Sequence, residues 1–198
     1  MTEDTLTQNA PTASEVRHRM ANTMQLLAAL ARMRSQKSTE ADSRRQLMWM
    51  ADAIGSLGAL EQKRKPGGVD FTAFLVDMAP IWRRRHGSRP PELVVEAEPL
   101  VVQDHAASTL GLIAQELVGN AFAHGFADGR DGKVTVRLNR RSDGRCDLCV
   151  ADDGVGFDLT AGQERFGLWL VKSLAAQVQG EFSLAGPPGI SATLTFPL

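Results

Sequence analysis

The stretch KRKPGG at residues 63–68 limits the fold of this chain more than any other feature, because it divides the sequence into two unlike parts. Proline lacks a backbone donor and glycine is costly inside a helix, so a proline followed by two glycines ends any helix that reaches it. Upstream, apolar residues recur at helical spacing. A first helix is predicted from about residue 14 to residue 36, with Ser14 as its cap and Arg17 three residues on, short of a full capping box. Val16, Met20, Thr23, Leu27, Leu30 and Ala31 fall on one face of it. SQKSTEADS interrupts the pattern. A second helix follows from about residue 39 to residue 63, striped by Leu47, Met50, Ala51, Ile54, Leu57 and Gly58. The two make a helical hairpin. A hairpin with one stripe per helix buries little alone, so it is expected to pair with a second copy into a four-helix bundle. Packing of the hairpin on its own C-terminal part is the alternative that periodicity leaves open.

Downstream the pattern mixes periods. Asp70 can cap a helix through about residue 85. ELVVEA and PLVVQ read as short strands, and residues 108–124 as an apolar helix. KVTVRLNR and CDLCVAD are strands separated by the turn signal RSDG. A helix over residues 166–177 precedes two closing strands, GEFSLAG and SATLTFPL. Strands interleaved with helices over roughly 130 residues suggest a two-layer α/β sandwich. The fold class is therefore α+β: a hairpin unit at residues 14–66, then a sandwich unit at 68–198.

Charge and composition exclude several roles. The 198 residues carry a formal net charge of -1, so nothing draws the whole chain to nucleic acid or an anionic membrane. Arg44-Arg45 and Arg83-Arg84-Arg85 are local runs that read as solvated helix faces. No apolar stretch is long enough to span a bilayer. The opening MTEDTLTQNAPTAS is polar and acidic, unlike a secretory signal, and reads as a short flexible tail. A cytoplasmic protein is expected. Cys146 and Cys149 have C-x-x-C spacing, but on an alternating strand residues three apart point to opposite faces, and one such pair leaves zinc short of ligands. They read as two packed thiols.

Four segments carry candidate chemistry. His18 lies about opposite the apolar stripe of its helix and should face solvent. An exposed imidazole suits phosphoryl transfer, since its neutral nitrogen is a nucleophile near pH 7 and both donor and acceptor must reach it. Arg19 and Asn22 are near enough to help hold a phosphoryl group. In IAQELVGNAFAHGF, Glu116 and Asn120 stand at i and i+4 on one face, where a carboxylate and an amide could hold a metal–phosphate group. In VADDGVGFD, Asp152 ends a strand and could accept a hydrogen bond from an adenine amino group, while Gly154 and Gly156 allow close backbone approach. RFGLWLVKSLAAQ starts a helix at Gly167, and helix N-termini bind phosphate. Each of these also has a plain structural reading as a surface histidine, a polar helix stripe, a turn, or an amphipathic helix.

Their order says more than any one alone. A solvent-facing histidine on a hairpin, then ELVxNA, DDGVGF, FGLxLVxxLA and a closing strand ending in Phe196-Pro197 resembles the histidine kinases from about residue 15 to residue 198. The acceptor segment is similar to the HWE-like subgroup, with its Glu-x-x-His-Arg-x-x-Asn motif. The C-terminal part resembles the GHKL ATPases with a Bergerat-type fold. The resemblance implies His18 as the phosphorylated residue, with Asn120 holding magnesium and Glu116 alongside. It implies Asp152 binding adenine, Gly154 and Gly156 shaping the pocket, and Gly167 near the phosphates. It implies ATP and Mg2+ as cofactors. The expected partners are a second copy, a response regulator receiver domain and a separate sensor protein, with no nucleic acid.

The chain also departs from the pattern. Ala21 and Ala123 stand where lysines are usual, Arg165 replaces a glycine of the second glycine box, and Gly189-Ile190 replaces a glycine–threonine pair. The segment expected to form a mobile ATP lid, residues 157–166, is short. Three functions therefore stay open: a dimeric, sensorless histidine kinase; a phosphorelay protein that takes its phosphoryl group from another protein; and an anti-sigma-type binding module. His124, beside the proposed pocket, is the next acceptor candidate.

Overall fold

A computed structural model describes residues 12–85, 90–126, 128–156, 166–186 and 188–198. Residues 1–11 of the expected tail and all of the expected lid except Phe166 lie outside these residues, and residues 12–14 of that tail already belong to the start of the first helix.

Helices α1 (Ala13–Lys37) and α2 (Ala41–Glu61) form the hairpin. The cap of α1 is Thr12 rather than Ser14. Its hydroxyl accepts from the Glu15 amide at 3.2 Å, and the Glu15 carboxylate accepts from the Thr12 amide at 2.7 Å, a complete capping box. The face that α1 turns to the rest of the chain carries Ala21, Ala28 and Ser35, small residues seven apart that let the helices approach closely. The stripe of Val16, Met20, Leu27 and Leu30 is left exposed.

The KRKPGG segment stops α2 as expected but is not a plain linker. Strand β1 (Arg64–Lys65) turns back on β2 (Gly68–Asp70), which pairs with β4 (Val101–Val102) in a small antiparallel sheet. Asp70 then caps α3 (Phe71–Arg84), its carboxylate accepting from the Ala73 amide at 3.0 Å. The main sheet contains β3 (Glu92–Ala97), β5 (Lys133–Arg140), β6 (Cys146–Asp152), β7 (Glu181–Ala185) and β8 (Ile190–Phe196), in the order β3-β5-β6-β8-β7. Only β3 and β5 run parallel; the other pairs are antiparallel. Val134, Val136, Leu138, Leu148, Val150, Leu194 and Phe196 point from one face of it into the core. Helices α3, α4 (Asp104–Asn120) and α5 (Phe166–Gln177) complete the second layer. Cys146 is buried and Cys149 half-buried, both as free thiols.

Helix α4 was expected to run through His124. It ends at Asn120, and residues Ala121–Gly125 continue as one wider π turn. Such turns arise where the i→i−4 ladder takes in an extra residue, and they favour functional sites. This one brings Gly125 against Asp152 at the end of β6, the central strand of the sheet.

The hairpin does lie on its own C-terminal part, through a second face of α2. Leu60 covers Gly111, where a Cβ would stand 2.5 Å from a Leu60 methyl carbon. One turn up, the Gln115 side-chain carbonyl accepts from Ser56 Oγ and Trp82 Nε1, each at 2.7 Å, tying α2, α3 and α4 together in a buried site. Next, Asp52 meets Arg85 at 2.9 Å and Arg32 at 3.6 Å. Burial pushes the Asp52 carboxyl above its ordinary range, and the two guanidinium groups oppose that shift.

Candidate functional site

An open-mouthed cleft lies between α4, the π turn, α5 and the ends of β6, β7 and β8. Leu117, Asn120, Ala121, His124, Gly125, Val150, Asp152, Gly156, Leu168, Leu184, Ile190 and Ala192 line it. Three expected residues, Asn120, Asp152 and Gly156, are therefore brought to one cavity.

The β6 end forms the apolar half. Asp152 closes the strand between Val134 and Ile190. One of its carboxylate oxygens accepts from the Gly154 amide at 3.0 Å. Burial raises its pKa above the ordinary carboxylate range, while the Gly154 and Ile190 amides pull it down and Asp153 pushes it up. The loop is then sewn to the π turn, with the Val155 amide donating to the Gly125 carbonyl at 2.9 Å. Gly154 has to be glycine, because a Cβ there would stand 2.1 Å from that carbonyl oxygen. A carboxylate at the floor of a cleft walled by Val150, Leu184, Ile190 and Ala192 can take the amino edge of a flat, mostly apolar ring. Sequence reading missed Gly125 and Leu184 here, and named Ile190 only as the second residue of the Gly189-Ile190 pair. Only the glycine gave a sign, and nothing local marks it as the partner of a loop almost 30 residues on.

The α4–α5 junction forms the polar half. Glu116 and Asn120 face the same way one turn apart, with Asn120 Nδ2 donating to Glu116 Oε1 at 3.3 Å. Gly167, at the start of α5, packs against both: a Cβ there would lie 2.1 Å from Glu116 Oε1 and 3.1 Å from Asn120 Nδ2. The helix N-terminus, the carboxylate and the amide thus converge. Glu116 also accepts a hydrogen bond at 2.7 Å from Trp49 Nε1 of α2, a residue that sequence reading did not single out.

These donors fit magnesium. They are hard oxygen atoms, few in number, beside a place suited to phosphates, and Mg2+ takes most of its remaining ligands from phosphate and water. Among the described residues no group of three or more His, Cys, Asp or Glu side chains forms a protein-only metal cage.

His18 is not part of this cleft. It stands exposed on α1, its Nδ1 3.2 Å from the Asn22 amide one turn on. The structure thus separates the sequence's candidates into a cleft set and a lone exposed imidazole.

The architecture and cleft define an ATPase-type domain behind a helical hairpin. Residues 105–198 match the family model described as histidine kinase-, DNA gyrase B-, and HSP90-like ATPase. The chain is 30% identical over 200 residues to the sensor histidine kinase PdtaS of Mycolicibacterium smegmatis, covering 94% of this chain and 40% of that protein. It is 27% identical to PdtaS of Mycobacterium tuberculosis over 188 residues, covering 87% of this chain and 36% of the relative. The chain thus spans well under half the length of these curated relatives. Among solved structures, the histidine kinase domain of a blue-light-activated kinase from Erythrobacter litoralis superposes with a TM-score of 0.72 at 21% identity, covering 95% of both chains. These comparisons show a domain of the histidine kinase-, DNA gyrase B-, and HSP90-like ATPase type over residues 105–198, and the α+β fold matches. No helix among the described residues is long and apolar enough to cross a membrane.

Proposed function

We propose that this chain is a cytoplasmic protein histidine kinase of the HWE-like kind, which uses ATP to phosphorylate His18 and passes the phosphoryl group to a receiver-domain aspartate. The observation that carries this reading is the convergence of Asp152, Asn120, Glu116 and Gly167 around one cleft, in a chain that also exposes a hydrogen-bonded imidazole on a helical hairpin. That ShkA was solved in complex with AMPPNP, on a related fold with a TM-score of 0.55, supports nucleotide as the ligand.

In this reading residues 68–198 bind nucleotide and residues 14–66 carry the acceptor. Asp152 receives the adenine amino group, and Gly154 and Gly156 let the backbone follow the ring. Asn120 and Glu116 hold the metal–phosphate group, and the α5 N-terminus at Gly167 faces the phosphates. Magnesium held by Asn120 and Glu116 would supply charge neutralisation on the transferred group. Asn22 orients the acceptor. Its Nδ2 stands 3.2 Å from His18 Nδ1, and the nucleophile is the ring nitrogen of the neutral imidazole that carries the lone pair. That nitrogen forms the N–P bond as the bond from the γ-phosphorus to the bridging oxygen breaks, and ADP leaves with the electron pair.

The exposed α1 stripe supports a homodimer. Val16, Met20, Leu26, Leu27, Leu30 and Met33 are each about half or more exposed, an apolar row suited to a four-helix bundle with a second copy. Light scattering should show a dimer at micromolar concentration and a monomer for Leu27→Glu, because a bundle core would bury the new carboxylate unpaired.

The donor experiment tests the function. Wild type should label itself from radiolabelled ATP and Mg2+, and Asn120→Ala should stop it. A protein that stays unlabelled with ATP but accepts phosphate from a phosphorylated receiver, with Asn120→Ala leaving that transfer intact, is a phosphorelay protein instead. A separate sensor protein as upstream partner is part of the same proposal.

A further inference from the structure

The stripe of α2 that faces the C-terminal part grades from buried to exposed. Leu60 is buried over Gly111, Ser56 is buried on Gln115, and Asp52 is partly exposed in its ion pair. At the top, Trp49 is 37% exposed and meets Glu116. Trp49 also stands edge-on to the Phe166 ring at 6.2 Å, and Phe166 lies 5.8 Å from Trp169. Among the described residues the hairpin thus meets the Glu116 carboxylate through the Trp49 indole, at an exposed point of the seam.

Both oxygens of Glu116 are engaged there, one by Asn120 and one by Trp49. An indole N–H only donates; it cannot ligate a cation or accept a proton. It can only hold the carboxylate. The position of the contact matters as well. Gly58 of α2 packs against Met24 and the Ala21 carbonyl of α1, so His18, a turn or more earlier, lies level with about residue 61 or beyond. Trp49 stands about 18 Å away along the hairpin axis, at 1.5 Å per residue. A second copy related by a two-fold along the bundle would place its own His18 at that same level. With Glu116 docked on Trp49, the polar end of the cleft is out of reach of either imidazole.

We propose that Trp49 is a positioning residue that acts through Glu116: its indole N–H holds the carboxylate against the hairpin, and loading of the metal–phosphate group requires that bond to let go. The proposal rests on the nucleotide reading above. It makes the seam of α2 the route by which movement in the hairpin reaches the nucleotide site, with the weakest contact where nucleotide chemistry needs release.

The test uses the full chain as wild type, Trp49→Phe and Glu116→Ala. Trp49→Phe keeps an aromatic ring beside Phe166 and removes only the donor. Its affinity for AMPPNP with Mg2+ should tighten about three- to tenfold, as release of a competing state predicts. Its affinity for ADP in EDTA should stay within about twofold, because the adenine end is untouched. Weaker or unchanged binding of the magnesium complex overturns the proposal, and equal weakening of both ligands assigns Trp49 a merely structural role, which also overturns it. Without nucleotide, hydrogen exchange over residues 45–52 should speed up in Trp49→Phe and in Glu116→Ala while residues 54–61 stay protected. Unchanged exchange at 45–52 overturns the contact itself. A wild type that binds neither ligand contradicts the nucleotide reading, and the exchange result still decides on Trp49.

Discussion

The two ends of the cleft are built in different ways. At the Asp152 end every fixing contact comes from nearby backbone: the Gly154 amide on the carboxylate, the Val155 amide on the Gly125 carbonyl, the Gly189 amide on the Gly154 carbonyl at 3.1 Å. At the Glu116 end the contacts are between side chains, and one of them belongs to the hairpin. Backbone stitching holds one geometry, because moving it would unsatisfy buried donors and acceptors. Side-chain contacts at a half-exposed seam can exchange partners at little cost. The Asp152 end is thus preorganised, and the Glu116 end is adjustable and linked to the hairpin.

Substitutions at the two ends should separate. The largest effect is expected at Asp152. Asp152→Asn replaces a charged acceptor, worth about 1.5–3 kcal/mol, and should weaken ADP in EDTA and AMPPNP with Mg2+ alike, by about 10- to 150-fold. Titration of a fluorescent nucleotide with and without Mg2+ checks this. A loss confined to the magnesium complex would erase the distinction between the ends. Gly167→Ala should come next and show the opposite profile. Its methyl group would displace Glu116, so binding of the magnesium complex should fall about tenfold, roughly 1.4 kcal/mol, with ADP in EDTA little changed.

The smallest effect is on stability. Burial raises the Asp152 pKa, so the folded protein holds that proton to higher pH than the unfolded chain, whose aspartates titrate near about 3.9. The stabilising effect of the protonated form is complete below that value and is lost as pH rises through the folded pKa. Asp152→Asn never ionises. Its melting temperature should therefore gain on wild type as pH rises through this window and hold a constant advantage above it. An advantage that shrinks with rising pH would mean that the site favours the ionised carboxylate.

What could be read from the sequence follows the same division. DDGVGF reads as a turn from its own residues, and Gly156 meets it with a φ of 68°, whereas Gly154 answers to the Gly125 carbonyl almost 30 residues away. The limits of β5, β6 and α5 agree with their patterns because one face of each is buried. The Glu116–Asn120 pair was legible as i and i+4, but its third partner, Trp49, is 67 residues away and carries no local signal. The second face of α2 was hidden because its members, Trp49, Asp52 and Ser56, are not uniformly apolar. The inner face of α1 was hidden because Ala21, Ala28 and Ser35 are small, and larger side chains drew the stripe to the outside. The π turn depends on one extra residue in a turn, which periodicity does not resolve.

Of all that is proposed, the arrival of the γ-phosphoryl group of ATP on His18 is the central claim, and locating the label tests it most directly. Wild type and His18→Gln are incubated with γ-labelled ATP and Mg2+, and the label is mapped by peptide and by acid and alkali stability. Slow labelling of wild type is expected, acid-labile and alkali-stable, on the peptide that contains His18, and none in His18→Gln. Label that survives in His18→Gln, on the peptide carrying His124 or elsewhere, would contradict it.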